Sequence, residues 1–349
     1  MRWRQRSSRP RSSSRSRRGD GWPSCSVATG DAHDGDNLPV TDTLPRRRGR
    51  AEPPEGVYRV RREHNVRALE AALSDDRPYA AYALGHLERG MFEYSEFWFA
   101  EGPAGSGLVL HSIAAGNTTV TVGAPAAVET ILSLHAGPRA SYLSTAAPEH
   151  LTALGRAYHV HDTLRMMRMS VTAATFAPLE GGVRRLSGRD ANRINRLYAT
   201  EGGPSHYSRD TIERAVYYGA FDDARLIAVA GTHIVAPNEA IGIVGNVFTD
   251  VGCRGLGLAK RVTSAVTRDL LERGCAEVVL TVNPDNTPAV RAYQRLGYRS
   301  GSPVIEARLR RRDLLGIAPA LRRSVARRRS REPNIELVIA HDLPGEDPT

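Results

Sequence analysis

A glycine-rich turn between an apolar segment and a long amphipathic segment constrains this chain more than any other feature. Residues 240–249 are typical of a strand, and residues 256–273 carry apolar residues at helical spacing. The turn between them reads DVGCRGLG. The first backbone N–H groups of a helix have no intrahelical partner, and the helix dipole adds partial positive charge there. Because glycines let a ligand approach that backbone closely, the pattern predicts a pyrophosphate site.

Two well-known nucleotide-binding turns also join a strand to a helix, but each requires different residues. A Walker loop needs Gly-Lys-Ser or Gly-Lys-Thr, and Leu258-Ala259 stands in that place. A dinucleotide fingerprint needs three spaced glycines early in a βαβ unit, whereas this turn lies late in the chain and has another spacing. A plain tight turn between a strand and a helix stays open as long as the turn is considered alone.

A second motif follows in residues 282–298, which read VNPDNTPAVRAYQRLGY. The turn Arg254–Ala259 matches the Arg/Gln-x-x-Gly-x-Gly/Ala acyl-CoA motif of the GNAT N-acetyltransferase superfamily. The second segment is similar to that family's Asn-x-x-Ala-x-x-x-Tyr-x-x-x-Gly-aromatic motif. Over about residues 183–309 the chain therefore resembles this superfamily. One departure is that Val251-Gly252-Cys253 stands where many members have a proline.

The resemblance implies a fold and an activity. The implied fold is α/β (α+β), with a mixed, mostly antiparallel central sheet flanked by helices. The implied reaction moves an acetyl group from acetyl-CoA, a co-substrate used without a metal, to a primary amine by direct attack in a ternary complex. The acceptor, a small amine or a protein amine, is not readable. The alternative is a non-catalytic acyl-CoA-binding or interaction protein that retains the GNAT fold.

The resemblance also assigns roles to single residues. The strand Ile243–Thr249 is expected to bulge and splay, with the Val247 amide facing the thioester oxygen as an oxyanion donor and Thr249 facing pantetheine. Asn286 is expected to contact the cofactor, and Tyr293 to protonate the departing thiolate as a general acid. Further cofactor contacts are expected from Arg254 and from the backbone amides of Gly255, Leu256, Gly257, Leu258, Ala259 and Lys260.

Several of these side chains have a simpler alternative. Tyr293 shares a helix face with apolar residues, so packing in the core would also account for it. Arg254 would serve equally as a surface residue, and Arg291 and Arg295 as solvated rather than phosphate-binding side chains. Cys253 is expected to be a small, partly buried thiol rather than a nucleophile.

The attacking amine must be neutral, so a base or a water chain is needed. Asp250, His206, His233 and Glu239 are candidates, and no spacing distinguishes one of them. His233 lies in an apolar strand, where packed histidines are more common than bases. The segment 201–207 lies between two predicted helices and, by the resemblance, borders the acceptor site.

The chain is predicted to hold two globular halves between two tails. Residues 1–56 have few apolar residues, which predicts a disordered tail, with a mis-assigned start or an organelle presequence as alternatives. Residues 176–312 are the expected catalytic GNAT domain. Residues 313–349 form an expected tail, basic and then acidic, whose basic part has a surface helix as its alternative.

Residues 57–175 repeat the order of elements in the second half, as tandem members of the superfamily do. The repeat predicts a degenerate GNAT-like domain, because its counterpart of the glycine turn, residues 122–126, holds one glycine and a proline that removes an amide. We therefore expect no acetyl-CoA binding there, and a role in walling the acceptor pocket or in stability alone. The repeated elements are strand 118–122, helix 125–134, strand 141–144, helix 148–154 and strand 164–172.

Charge is concentrated at the ends of the chain. The net charge is +10: residues 1–50 carry +7, residues 308–331 carry +9 and residues 332–349 carry −5, whereas residues 51–307 carry only −1. A near-neutral body argues against a nucleic-acid partner. The sequence shows no run typical of a membrane span, and its three cysteines have no metal-type spacing, so a cytoplasmic protein is expected. The sequence does not indicate the oligomeric state.

Overall fold

The computed structural model describes residues 56–114, 116–201 and 207–340. The predicted N-terminal tail lies outside the described residues except for Gly56. Within the described part, two series of helices and strands follow one another in the same order, and a short C-terminal extension follows the second.

The first series runs from residue 57 to residue 172. Asn65 and Asp76 cap its first two helices by accepting hydrogen bonds from the Ala68 and Tyr79 amides. The strands are β1 (Val57–Glu63), β2 (Ser95–Gly102), β3 (Gly105–Ser112), β4 (Thr118–Gly123), β5 (Ala140–Thr145) and β6 (Tyr158–Thr172). The helices are α1 (Val66–Ala72), α2 (Arg77–Gly85), α3 (Pro125–Leu134) and α4 (Leu151–Ala157).

The second series repeats this order from residue 184 to residue 311. Ser208 and Asn286 cap two of its helices in the same manner. The strands are β7 (Arg184–Arg185), β8 (Tyr218–Asp222), β9 (Arg225–Ala236), β10 (Ile241–Thr249), β11 (Glu277–Val282) and β12 (Arg299–Arg311). The helices are α5 (Ala191–Ala199), α6 (Arg209–Arg214), α7 (Leu258–Glu272) and α8 (Thr287–Gln294).

The strands of both series join in one sheet. With β13 (Glu336–Ile339) of the C-terminal extension, the order is β13-β1-β2-β3-β4-β5-β12-β6-β11-β10-β9-β8-β7. Neighbouring strands are antiparallel except in the pairs β4–β5 and β10–β11. Helices flank this mixed, mostly antiparallel sheet, which confirms the predicted fold class with its two GNAT-like halves.

The two series exchange their last strands. β6 pairs with β11 of the second series, β12 pairs with β5 of the first, and β6 and β12 pair with each other at the centre of the sheet. A boundary near residue 175 therefore divides the chain but not the sheet. The exchange brings side chains of β6 next to β11 of the second series and side chains of β12 next to β5 of the first.

Helix α2 of the first series also reaches the second series. Its residues Leu84 and Ala83 are fully buried in a core cluster that includes Ile234 of β9 and Ile243 of β10. A side chain at Gly85 would place its Cβ 2.6 Å from the Ile234 side chain, so this close approach requires glycine. The contact fixes the end of α2 over β9 and β10.

The C-terminal segment corrects the prediction of a tail over residues 313–349, because a helix and a strand form within residues 317–339. Helix α9 (Ile317–Arg329) packs against α3, and β13 pairs with β1. Charged residues of this segment form hydrogen bonds within the fold. Glu336 is buried and accepts hydrogen bonds from Arg327 and His135 at 2.8 and 2.5 Å. Residues 341–349 lie outside the described part.

Candidate active site

The turn before α7 has an open backbone. Gly255 and Gly257 have φ values of 82° and 73°, a conformation that favours glycine, and nothing lies within 4 Å of a Cβ placed at either residue. Gly257 is the N-cap of α7, so the first-turn amides of that helix face this open space. Both features fit a phosphate group held by backbone N–H donors, as the sequence predicts.

Asp250 holds the turn in place. Its carboxylate accepts a hydrogen bond from the Gly252 amide at 3.0 Å and forms an ion pair with Arg225 at 3.0 Å. The Arg254 guanidinium contacts Glu201 and donates to the Thr249 carbonyl at 3.3 Å. Asp250 is therefore engaged in structure, and the Arg254 guanidinium is engaged by Glu201.

β10 bulges and separates from β11 just before the turn. The two strands pair only over Ile241–Val244 and Glu277–Leu280, and the register of β10 with β9 shifts between Gly245 and Phe248. This geometry confirms the predicted bulge and splay. It opens a gap between β10 and β11 that leads from the turn towards the centre of the sheet.

Asn246 fixes the bulge, and no sequence motif indicated it. Its φ of 54° is rare for a residue with a side chain. Its side chain donates to the Tyr217 hydroxyl at 2.9 Å and accepts from the Tyr207 hydroxyl at 3.0 Å, and Tyr198 donates to its carbonyl at 2.5 Å. These three tyrosines hold the strained residue, and with it the position of Val247.

Thr249 ends the splayed strand. Its Oγ1 atom is buried and has no hydrogen-bond partner within the described residues. A buried hydroxyl without a partner is costly in a folded protein, which favours a ligand group beside it. The orphaned hydroxyl thus fits the predicted contact with pantetheine.

A cavity of about 150 Å³ lies at the inner end of the gap. It brings together three predicted site residues, Val247, Asn286 and Tyr293. The first series contributes further walls from α2, β4, β5 and β6, and β12 adds Glu306. The remaining lining residues include Tyr82, His86, Thr118, Tyr142, Ser144, Met166, His233, Asn246 and Thr281.

A family of known proteins matches the segment that carries this geometry. The profile described as the Acetyltransferase (GNAT) family matches residues 190–298. This part of the chain belongs to the GNAT family. The matched segment contains the bulged strand, the open turn and α8.

Individual relatives match parts of this chain. Mycothiol acetyltransferase of Saccharopolyspora erythraea is 42% identical over 60 residues, 17% of this chain and 20% of that protein. Mycothiol acetyltransferase of Geodermatophilus obscurus is 34% identical over 88 residues, 24% of this chain and 29% of that protein. The matches thus span less than a third of these relatives. A solved tandem GNAT protein from the clavulanic acid biosynthesis pathway is 13% identical, with a TM-score of 0.41 over 72% of this chain and 98% of that one.

In the GNAT site, Tyr293 is mostly buried and lines the cavity. It is 7% exposed, packs with the apolar core of the second series, and lies with its ring centroid 6.0 Å from that of Tyr298. The ring therefore packs in the core while the residue borders the cavity, and the general-acid role of Tyr293 stays a prediction. Asn286 also lines the cavity, and its Oδ1 atom caps α8 by accepting from the Ala289 amide at 3.2 Å.

The candidate bases differ in their position relative to the cavity and in their pKa. Glu239 lies at the turn between β9 and β10 and does not line the cavity; burial and the neighbouring Glu70 raise its pKa to about 7. His206 lies outside the described residues. His233 lines the cavity, and burial lowers its pKa to about 4, so its ring is neutral at pH 7. Its Nδ1 atom lies 2.5 Å from the Tyr82 hydroxyl, which donates to it.

Metal and membrane features are lacking in the part of the chain that the structure describes. Across residues 56–114, 116–201 and 207–340, no group of three or more His, Cys, Asp or Glu side chains is arranged to hold a metal ion. In those same ranges, no helix combines the length and the apolar character needed to cross a membrane. Cys253 is partly buried and Cys275 is buried, and both are free thiols.

Proposed function

We propose that this GNAT protein transfers the acetyl group of acetyl-CoA to a primary amine. The observation that carries the proposal is the course of β10: the strand separates from β11 beside the cavity at Val247 and continues towards the open turn before α7, so the gap beside it would form one path. A thioester cofactor laid along this path would place its phosphates on backbone amides and its acyl end in the cavity.

The residues along the path fit the parts of acetyl-CoA, which supplies an acetyl group activated as a thioester. The amides of residues 255–260 would hold the pyrophosphate at the start of α7. Thr249, with its orphaned hydroxyl, would contact the pantetheine arm. The side-chain amide nitrogen of Asn286 would donate a hydrogen bond to the cofactor, because the Oδ1 atom is the group that caps α8.

Two groups would act on the reacting atoms. The Val247 amide, positioned by the Asn246 bulge, would donate a hydrogen bond to the oxygen on which negative charge develops. The Tyr293 hydroxyl would protonate the departing thiolate. Both residues line the same cavity, so the attacking amine must reach the acetyl carbon there.

A small-molecule acceptor suits this site. The cavity lies between the two series and has a volume of only about 150 Å³, and the compared relatives carry the name mycothiol acetyltransferase. In this proposal the second series binds the cofactor, and residues of the first series line the acceptor pocket. The counterpart turn in the first series supports this division, since Pro125 begins α3 and removes an amide donor.

A screen of primary amines with the full-length protein tests the proposed function. The chain is mixed with acetyl-CoA and each amine, free thiol is measured, and products are identified by mass. We expect thiol release matched by an N-acetylated product for at least one amine. Acetyl-CoA binding without transfer to any amine would favour the non-catalytic acyl-CoA-binding alternative.

A further inference from the structure

A buried carboxylate lines the cavity, and no sequence motif marks it. Glu306 lies on β12, the exchanged strand, and is 7% exposed. The Tyr142 hydroxyl of β5 donates to its Oε2 atom at 2.6 Å. The Thr281 hydroxyl of β11 also bonds to it. Three strands of the sheet thus hold this carboxylate at the edge of the cavity.

Arg168 supplies the opposite charge. It is fully buried on β6, and its Nη1 atom lies 4.0 Å from the Glu306 carboxylate. Its Nη2 atom donates instead to the Ser144 carbonyl at 2.9 Å and to Thr145. Because arginine stays charged, Glu306 is the carboxylate that compensates it. At 4.0 Å the pair leaves the Glu306 oxygens able to accept another donor.

His86 presents a second acceptor to the cavity. It is 1% exposed, and its Nδ1–H donates to the Tyr82 carbonyl at 2.7 Å. Its Nε2 atom therefore carries the lone pair, and that atom is buried without a partner among the residues described. Burial lowers the pKa of His86 to about 4, so the ring is neutral and Nε2 accepts at pH 7. An N–H or O–H group of a ligand would satisfy it.

We propose, on the basis of the proposed function, that Glu306 receives the ammonium group of the acceptor and takes up its proton, while His86 Nε2 accepts a hydrogen bond from a neighbouring N–H or O–H of the same molecule. The acceptor class is a compact primary amine with a second donor close to the nitrogen, such as an amino alcohol.

The protons balance in this scheme. Glu306 takes the first proton of the ammonium, which frees the nitrogen lone pair to form the C–N bond as the C–S bond breaks. Tyr293 gives its proton to the departing thiolate. The second proton leaves the nitrogen after the C–N bond has formed and restores Tyr293. Glu306 then releases its proton to solvent, so each turnover yields one amide, one thiol and one proton.

The electrostatic surroundings of Glu306 suit a base. Burial raises its pKa, while Arg168 of β6, Tyr142 of β5 and Thr281 of β11 oppose that rise. Tyr82 of α2 faces it as well: burial, and after it the charge of Glu306, raises the pKa of the tyrosine. A carboxylate with a raised pKa is a stronger base, and it must be ionised to act. The rate should therefore increase with pH through a pKa above the usual value for glutamate.

Glu306→Gln tests the proposal in the full-length protein with ethanolamine as the acceptor. We expect kcat/KM for ethanolamine to fall by about 100-fold or more, the acidic limb of the pH profile to disappear, and the Kd for acetyl-CoA to stay unchanged. Glu336→Gln is the matched control, since it neutralises a buried glutamate next to α9, and it should leave the kinetics unchanged. Wild-type kcat/KM, or an unchanged acidic limb, in a folded Glu306→Gln protein would overturn the proposal.

Tyr142→Phe gives a second test that keeps the charge of Glu306. Removing a donor to the carboxylate disfavours its ionised form, so the acidic limb should move to higher pH. A purely structural role for Glu306 predicts no such shift, and an unmoved limb counts against the proposal.

The acceptor class is tested by comparing ethanolamine with propylamine, which has a methyl group in place of the hydroxyl. We expect the wild-type protein to prefer ethanolamine by about tenfold, and His86→Leu to lose that preference. Equal rates, or no turnover of ethanolamine by protein that binds acetyl-CoA, would overturn the proposed class. Failure of the wild-type chain to bind acetyl-CoA would instead refute the proposed function itself.

Discussion

Gly257→Glu should abolish acetyl-CoA binding. The residue has a positive φ and open space at its Cβ position, at the start of α7 where the pyrophosphate would lie. A carboxylate there would occupy that space and oppose a like charge, which costs several kcal/mol. Isothermal titration calorimetry should show the Kd rising by more than about 100-fold.

The control for this substitution is Gly90→Glu. Gly90 has a φ of 88° and nothing within 4 Å of its Cβ position, so it carries the same backbone strain and the same change of charge. It lies before β2, far along the chain from the turn. We expect it to bind acetyl-CoA as the wild type does. A folded Gly257→Glu protein with wild-type affinity would show that the phosphates bind elsewhere.

Tyr293→Phe should lower kcat by about 100-fold with little change in KM, the scale expected from loss of one general acid. The ring keeps its packing against the core, so the variant removes only the hydroxyl. Steady-state kinetics on the amine found by screening gives the comparison.

Tyr298→Phe is the matched control for Tyr293→Phe. Its ring lies beside that of Tyr293, but its hydroxyl bonds to Thr267 at 2.7 Å and does not line the cavity. Near-wild-type kcat is expected for this control. If both variants kept wild-type kcat, the thiolate would take its proton from another group, and Tyr293 would be a packing residue.

Local patterns predicted several elements well. The bounds of α3 and β10 agree to within one residue with the predicted segments 125–134 and 240–249, because apolar residues at regular spacing mark both. β1 was not predicted, and a helix at α9 was predicted only as the alternative to a tail, since arginines obscure the apolar residues of both elements. In α9 several of those arginines are engaged in the fold, as the bond from Arg323 to the Leu134 carbonyl shows.

The acceptor side of the site could not be predicted in the same way. The turn 254–260 and α8 are continuous in sequence, so their motifs encode cofactor geometry directly. Glu306, Arg168 and His86 meet only because β12 and β6 exchange places and α2 crosses to β9. One feature of the sequence does point to the acceptor side of the site: a charged residue within an apolar strand, as at Glu306 between Ile305 and Ala307.

The stoichiometry of acetyl-CoA binding tests the proposed division of labour between the two series most directly. One cofactor site is expected in each chain, at the turn before α7, and none in the first series, where Pro125 opens α3. Calorimetric titration of the full-length wild-type protein should therefore give one acetyl-CoA bound per chain. Two bound molecules, or none, would contradict this division.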